Sequence, residues 1–216
     1  MPSEELGPLP AGRHGYSREQ VAHHQRERLI AGLAAAVADK GYAAVTLADI
    51  TREARVSRRV FYEHFEGKEQ CFLAAFEIVA AHIAELVDAA IERLPEWPDR
   101  ATAATRAVLR FLASEPDLAR LFLVESRGAG PAVASRFNEA VAGLKPLLRQ
   151  GRRERDRPLP DSTEDTVLGS LVSLAHRKVM TGEAARLENL LPECVEFVLA
   201  PYLGPEEAER RARAVL

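Results

Sequence analysis

Apolar residues recur three and four apart along most of the chain, and no stretch alternates strictly, so the pattern predicts an all-α protein. The first helix opens on the capping box Ser17-Arg-Glu-Gln20, runs through Leu29, Ile30, Leu33 and Val37, and stops at Gly41. Two short helices follow, one starting at Thr46 and one at Ser57. From Lys68 the positions Phe72, Phe76, Val79, Ile83, Leu86 and Val87 continue one apolar face to about Leu94 without a breaker, a single long helix. Further helices are expected at residues 99–114, 116–126, 131–154, 162–181 and 186–200, with a tail helix at 205–215. Proline and glycine punctuate the joins, and Pro146 should kink or break the 131–154 element. The loop holding Pro158 and Pro160 is expected to be the mobile connector.

Charge changes the picture in the short helices. Thr46 caps the first with its hydroxyl, and Asp49 completes a capping-box-like pair suited to the positive end of the helix dipole. Ser57 caps the second, yet Arg58 and Arg59 occupy its first two positions, and Lys68 opens the next helix after Glu66-Gly67. Cations there oppose the dipole, so they point to an anion such as phosphate. Phe61 and Phe65, four apart, anchor the second helix to a core. Advancing about 100° per residue then puts Arg59 and Glu63 opposite that core, flanked by Val60 and Tyr62. Arg59 can bond a guanine edge, Val60 can meet a thymine methyl, Glu63 can accept from a cytosine amino group, and Tyr62 can donate to a phosphate.

The stretch Thr46 to Lys68, ending in Phe61-Tyr62-x-His64-Phe65-x-x-Lys68, resembles the DNA-binding motif of tetracycline-repressor-like (TetR family) regulators, and the likeness extends from Ser17 to Phe76. The resemblance implies operator contacts by Thr46, Ser57, Arg58, Arg59, Val60, Tyr62, His64 and Lys68. It also implies an N-terminal three-helix module with a helix-turn-helix, residues 17–67, joined by a long helix to a C-terminal helical ligand-binding and dimerisation domain, residues 68–216. The partners implied are double-stranded operator DNA, a small, largely apolar effector and a second copy of the chain, and the implied role is a repressor released by its effector. One position departs from the pattern: the turn between the short helices usually holds glycine, and here Arg55 stands there. A left-handed backbone at Arg55 would cost about 1–2 kcal/mol.

Composition limits the alternatives. With 216 residues, 47% hydrophobic and 28% charged, the chain has the balance of an ordinary soluble protein, and its net charge of −3 confines any DNA contact to a local basic patch. Residues 1–16 hold no apolar core segment or basic n-region, which excludes a signal peptide and leaves a flexible arm. Arg13 and His14 either enter a minor groove or belong to a solvated tail. No stretch reads as a membrane span, so no membrane partner is expected and the location is cytoplasmic. Cys71 and Cys194 both sit in apolar helical patterns and are expected to be buried free thiols. No phosphate-binding glycine loop, nucleophile elbow or metal-ligand spacing occurs, so neither an enzyme, a metal site nor a cofactor is expected.

In the second domain, polar residues that interrupt apolar faces are the candidates for effector contact: His82, Glu125, His176 and Arg177, with Trp97, Phe111, Leu121 and Phe122 as walls. Leu168, Leu171, Val172 and Ala175 form one stripe and Leu190, Leu191, Cys194, Val195 and Val198 another, beside small Gly169 and Ser173. These read either as a four-helix dimer interface or as monomer core. The rival to a DNA-binding regulator is a helical ligand-binding or scaffold protein whose helix-turn-helix mediates protein contacts, which leaves Arg58, Arg59 and Lys68 without a purpose.

Overall fold

The computed structural model describes residues 17–215, so the arm with Arg13 and His14 lies outside the described residues. Eleven α-helices occur among them, with no strand: α1 (Arg18–Lys40), α2 (Leu47–Glu53), α3 (Arg58–His64), α4 (Lys68–Ile91), α5 (Trp97–Ser114), α6 (Pro116–Leu123), α7 (Pro131–Ala142), α8 (Lys145–Gln150), α9 (Thr163–Met180), α10 (Leu191–Leu203) and α11 (Pro205–Arg213). Short 3-10 turns cover Glu125–Arg127, Gly151–Glu154 and Ala184–Leu190.

The amino-terminal helices form where their caps specify. Ser17 and Gln20 close a reciprocal capping box on α1, and Thr46 and Asp49 do the same on α2. Leu29, Leu33, Ile50, Phe61 and Phe72 are fully buried and lock α1 to α4 around one small core. A Cβ on Gly32 would stand 2.7 Å from the Ala54 nitrogen, so α1 and α2 cross with backbones nearly touching. The Thr51 hydroxyl donates back to the Leu47 carbonyl at 3.0 Å.

Helix α4 passes from this module into a second one, packing on α5, α6 and α7. It is long and apolar enough to cross a membrane, contrary to the expectation that no stretch approaches a span, but Phe72, Phe76, Val79, Ile83 and Val87 on its apolar face are buried in the protein core. The expected 131–154 helix is in fact α7, α8 and a 3-10 turn. It breaks at Gly143-Leu144 and not at Pro146, because Pro146 sits in the first turn of α8, where its missing N–H removes no helical bond. The expected 186–200 helix likewise begins as the 3-10 turn at Ala184–Leu190, and α10 starts at Leu191.

The loop with Pro158 and Pro160 is pinned rather than free. Arg152 donates to the carbonyls of Leu159 at 2.9 Å and Pro160 at 2.8 Å, and its Nε and Nη2 grip the two oxygens of Glu164 at 2.7 and 2.8 Å.

Candidate nucleic-acid interface and internal cavity

The turn between α2 and α3 is left-handed at Arg55, with φ 52°, the only positive φ at a non-glycine among the described residues. The Val56 N–H donates to the Thr51 carbonyl and the Arg55 N–H to the Arg52 carbonyl, which makes a Schellman ending with arginine in the glycine position. Arg28, buried on α1, donates from its guanidinium to the Arg55 carbonyl at 3.0 Å and so holds the strained residue. Burial, then the charge of Arg55, lowers the Arg28 pKa.

Beyond that turn, Ser57 accepts from the Val60 N–H at 3.2 Å, and Phe61 and Phe65 fix α3 to the core. Ser57, Arg58, Arg59, Tyr62 and Glu63 are exposed together, with Val60 half-buried beside them. The Arg59 Nε donates to Glu63 at 3.0 Å, so the two side chains facing away from the core are already paired with each other. Thr46 is exposed and exchanges hydrogen bonds with Asp49.

Two of the expected contact residues face the protein as well. Lys68 donates to the carbonyls of Tyr42 at 2.8 Å and Val45 at 2.9 Å, with its ammonium over the Tyr42 ring. This closes the loop between α1 and α2. His64 is half-buried near Gln25 on α1, and burial is the largest cause lowering its pKa, which favours the neutral ring.

Asp49 is the electrostatic centre of the module. The hydrogen bond from Lys40 at 2.6 Å, then those from Thr46, and finally Arg52 at 2.9 Å hold its carboxyl far below the usual carboxylate range. The folded state therefore binds fewer protons than the unfolded one near pH 4, so this stabilisation is complete above about pH 4 and is lost as pH falls through the folded pKa. The melting temperature should drop on going from pH 5 to pH 3, and by less in Asp49→Asn, as followed by circular dichroism. An equal drop in both proteins would remove Asp49 from the acid response.

The carboxy-terminal helices enclose a cavity of about 640 Å³ lined by α4, α5, α7, α8, α9 and α10, with Phe122 and Leu123 from α6. Phe76 and Phe122 stack at 4.9 Å on its wall, with Phe137 against both. Of the eight side chains expected to contact an effector, Phe122 alone lines this space. His82 and Phe111 meet edge to face in a separate groove between α4 and α5. Trp97 is core: its Nε1 donates to the Leu147 carbonyl at 2.8 Å and its ring meets Tyr202. Leu121 is buried away from the cavity, His176 is half-buried outside it, and Arg177 is exposed. Glu125 bridges the modules, accepting from the Tyr42 N–H at 2.8 Å and from the Arg120 Nε at 3.0 Å.

The two stripes, open between dimer interface and monomer core, face inward within this chain. Leu168, Leu171, Val172, Ala175, Leu190, Cys194 and Val198 line the cavity, and Leu191 and Val195 are buried in the core. Periodicity shows that a helix has an apolar face but not what lies against it, and here Leu171, Val172 and Leu190 stay half-buried at the cavity while the rest are buried. Exposed on α9 and α10 instead are Gly169, Ser173, Met180 and Phe197. Both thiols are buried, which pushes Cys71 up to about 12 and Cys194 up to about 11.

Residues 29–75 match the sequence pattern of the family described as bacterial regulatory proteins, tetR family. The HTH-type transcriptional activator FasR of Mycolicibacterium smegmatis is 27% identical over 135 residues, 61% of this chain. The match spans 60% of that relative's length. Among solved structures, the fatty acid degradation regulator FadR of Bacillus halodurans superposes with a TM-score of 0.73 at 18% identity, covering 81% of this chain and 94% of that one. The transcriptional regulator FadR of Bacillus subtilis, in complex with stearoyl-CoA, does so with a TM-score of 0.71 at 18% identity, covering 82% and 98%. At that identity the likeness is one of fold.

Proposed function

We propose that this chain, whose residues 29–75 match the tetR family of bacterial regulatory proteins, is a regulator of that family: homodimeric, sequence-specific in DNA binding and not an enzyme. In this reading it is a repressor that leaves its operator when a largely apolar small molecule fills the carboxy-terminal cavity. The observation that carries it is the exposed group Ser57, Arg58, Arg59 and Tyr62 on a helix anchored by Phe61 and Phe65, one long helix away from a largely apolar cavity. The FadR neighbour bound to stearoyl-CoA supports an apolar effector, because the same fold there accepts a long acyl chain.

A second copy would pack on the solvent faces of α9 and α10, where nothing lies within 4 Å of a Cβ on Gly169 and where Ser173, Met180 and Phe197 are exposed. Small residues permit close helix approach and the larger ones supply apolar area. Cavity and DNA module are joined by a short route. Phe122 on the cavity wall belongs to α6, and just past the end of α6 Glu125 holds the Tyr42 amide in the loop that Lys68 also closes. An effector that moves Phe122 therefore pulls on the base of the helix-turn-helix, and a tenfold loss of operator affinity needs only about 1.4 kcal/mol of such coupling. Glu125→Ala is expected to keep effector binding while shrinking the effector-induced change in operator affinity to under about threefold. An unchanged response would rule Glu125 out as the link.

The founding test is a binding titration against DNA from immediately upstream of the coding sequence, beside a scrambled fragment, at two salt concentrations. Tight binding to the native fragment alone, with a salt slope reporting phosphate contacts, is the expected result. Equal binding to both fragments would turn the argument toward a ligand-binding scaffold. The named relative FasR is an activator, so a promoter-reporter assay must follow, and rising transcription on deletion of the protein is what a repressor gives.

A further inference from the structure

The polar groups lining the cavity set a limit on what can enter it. On α4 the residues Glu77, Ala81, Ala84 and Asp88 all line the cavity and are all exposed, at helical spacing along one face. Two alanines thus leave an open slot with a carboxylate at each end. Across from them α7 contributes Arg136 and Glu139, and Gly143 just beyond it adds no side chain. Arg136 is the one cation among the described lining residues, and it is engaged: its Nε donates to Glu77 at 3.2 Å and its Nη1 to Glu139. Three carboxylates against one paired guanidinium leave the mouth with a net charge of −2.

The remaining polar lining is sparse. The Thr105 hydroxyl is spent on the Ala101 carbonyl at 2.8 Å, which leaves the Gln150 amide and the Cys194 thiol. Lys145, between two lining residues, gives its ammonium to Asp165, and Arg149 is exposed and does not line the cavity. Everything else that faces the space is aliphatic or aromatic.

We infer that the cavity selects a lipophilic organic cation, its apolar body among Phe76, Ile83, Leu109 and Phe122 and its positive end between Asp88 and the Glu77–Arg136–Glu139 group. This rests on reading the cavity as the effector site, and it separates the chain from its stearoyl-CoA-bound neighbour. A carboxylate or phosphate at this mouth would need a free guanidinium fork, and Arg136 can offer one only by abandoning both carboxylates. A cation meets Asp88 without displacing anything and relieves the repulsion among the acids.

The test uses the full-length protein without DNA and the neutral fluorophore Nile red as cavity probe. The probe is displaced by dodecyltrimethylammonium, dodecan-1-ol, dodecanoate and dodecanoyl-CoA, each below its micelle concentration and at two ionic strengths. The ammonium should bind about tenfold or more tighter than either anion, with the alcohol between them, and the gap should narrow with salt. Asp88→Asn should weaken the ammonium about threefold to tenfold and leave the alcohol unchanged. Anions binding as tightly as the ammonium, or a preference insensitive to both salt and Asp88→Asn, would overturn the inference while the effector cavity stands. If Ala84→Phe, which fills the slot, leaves Nile red binding intact, the cavity is not the apolar site and both readings fail.

Discussion

Replacing Arg59 with alanine is expected to weaken binding to the cognate operator about tenfold to a hundredfold and to leave binding to scrambled DNA within about threefold, the signature of a lost base contact. The side chain is 88% exposed on α3, opposite the buried Phe61 and Phe65, and its one partner is Glu63. An exposed i,i+4 pair contributes little to stability, so the guanidinium can be exchanged from Glu63 to a guanine edge at small cost. Arg58→Ala and Tyr62→Phe should instead weaken native and scrambled fragments alike, with Arg58→Ala flattening the salt slope by about one. Operator titrations at two salt concentrations separate these outcomes, and equal losses on both fragments for Arg59→Ala would make Arg59 a phosphate contact. Lys68, expected to contact the operator, has a second task in this geometry. Its bonds to Tyr42 and Val45 make it a structural closure, so its loss should show first in the melting curve.

How far the sequence carries depends on whether the deciding contact is local. The caps at Ser17, Thr46 and Ser57 involve side chains three residues from the N–H they satisfy, and each forms as read. The resemblance singles out Arg55 as the turn residue but leaves its backbone open, and only the structure shows it left-handed, with φ 52°. What relieves it was not legible: Arg28 lies 27 positions away in a helix where arginine is an unremarkable surface residue. The same limit explains the second domain. Leu168, Val172, Cys194 and Val198 announce an apolar face, but only the packing shows that they line an internal space of this chain. Glu125 reads as an oddity at the end of an apolar helix, and its partner Tyr42 is 83 positions away. Glu77, Asp88, Arg136 and Glu139 look like ordinary solvated charges, and only the cavity opening between their helices gives them a role.

Glu164→Ala is expected to lower the melting temperature by about 10 °C, more than any cavity-wall substitution to a residue of similar volume. Glu164 is 1% exposed, and its carboxylate is the common acceptor for the Arg152 fork and for the Tyr202 hydroxyl at 3.2 Å. Removing it strands a guanidinium and a buried hydroxyl together and frees the Leu159 and Pro160 carbonyls from the arginine that orders them. The damage should spread to α10, because Tyr202 also packs on Trp97, whose ring in turn sits where any side chain on Gly151 would go. Acid supplies a second signature. The Arg152 hydrogen bond is the largest cause depressing the Glu164 pKa, ahead of the opposing effect of burial, so the folded carboxyl holds its proton less tightly than the unfolded one. Its contribution is therefore complete above the ordinary carboxylate range near pH 4 and disappears as pH falls through the folded value. The wild-type protein should lose more stability between pH 5 and pH 3 than Glu164→Gln, which keeps the volume and part of the hydrogen bonding without the charge. Thermal melts of the three proteins at both pH values distinguish a charged knot from a packing defect: if Glu164→Gln melts with the wild type at pH 5 and loses as much on acidification, the ion pair contributes shape but no net electrostatic stability.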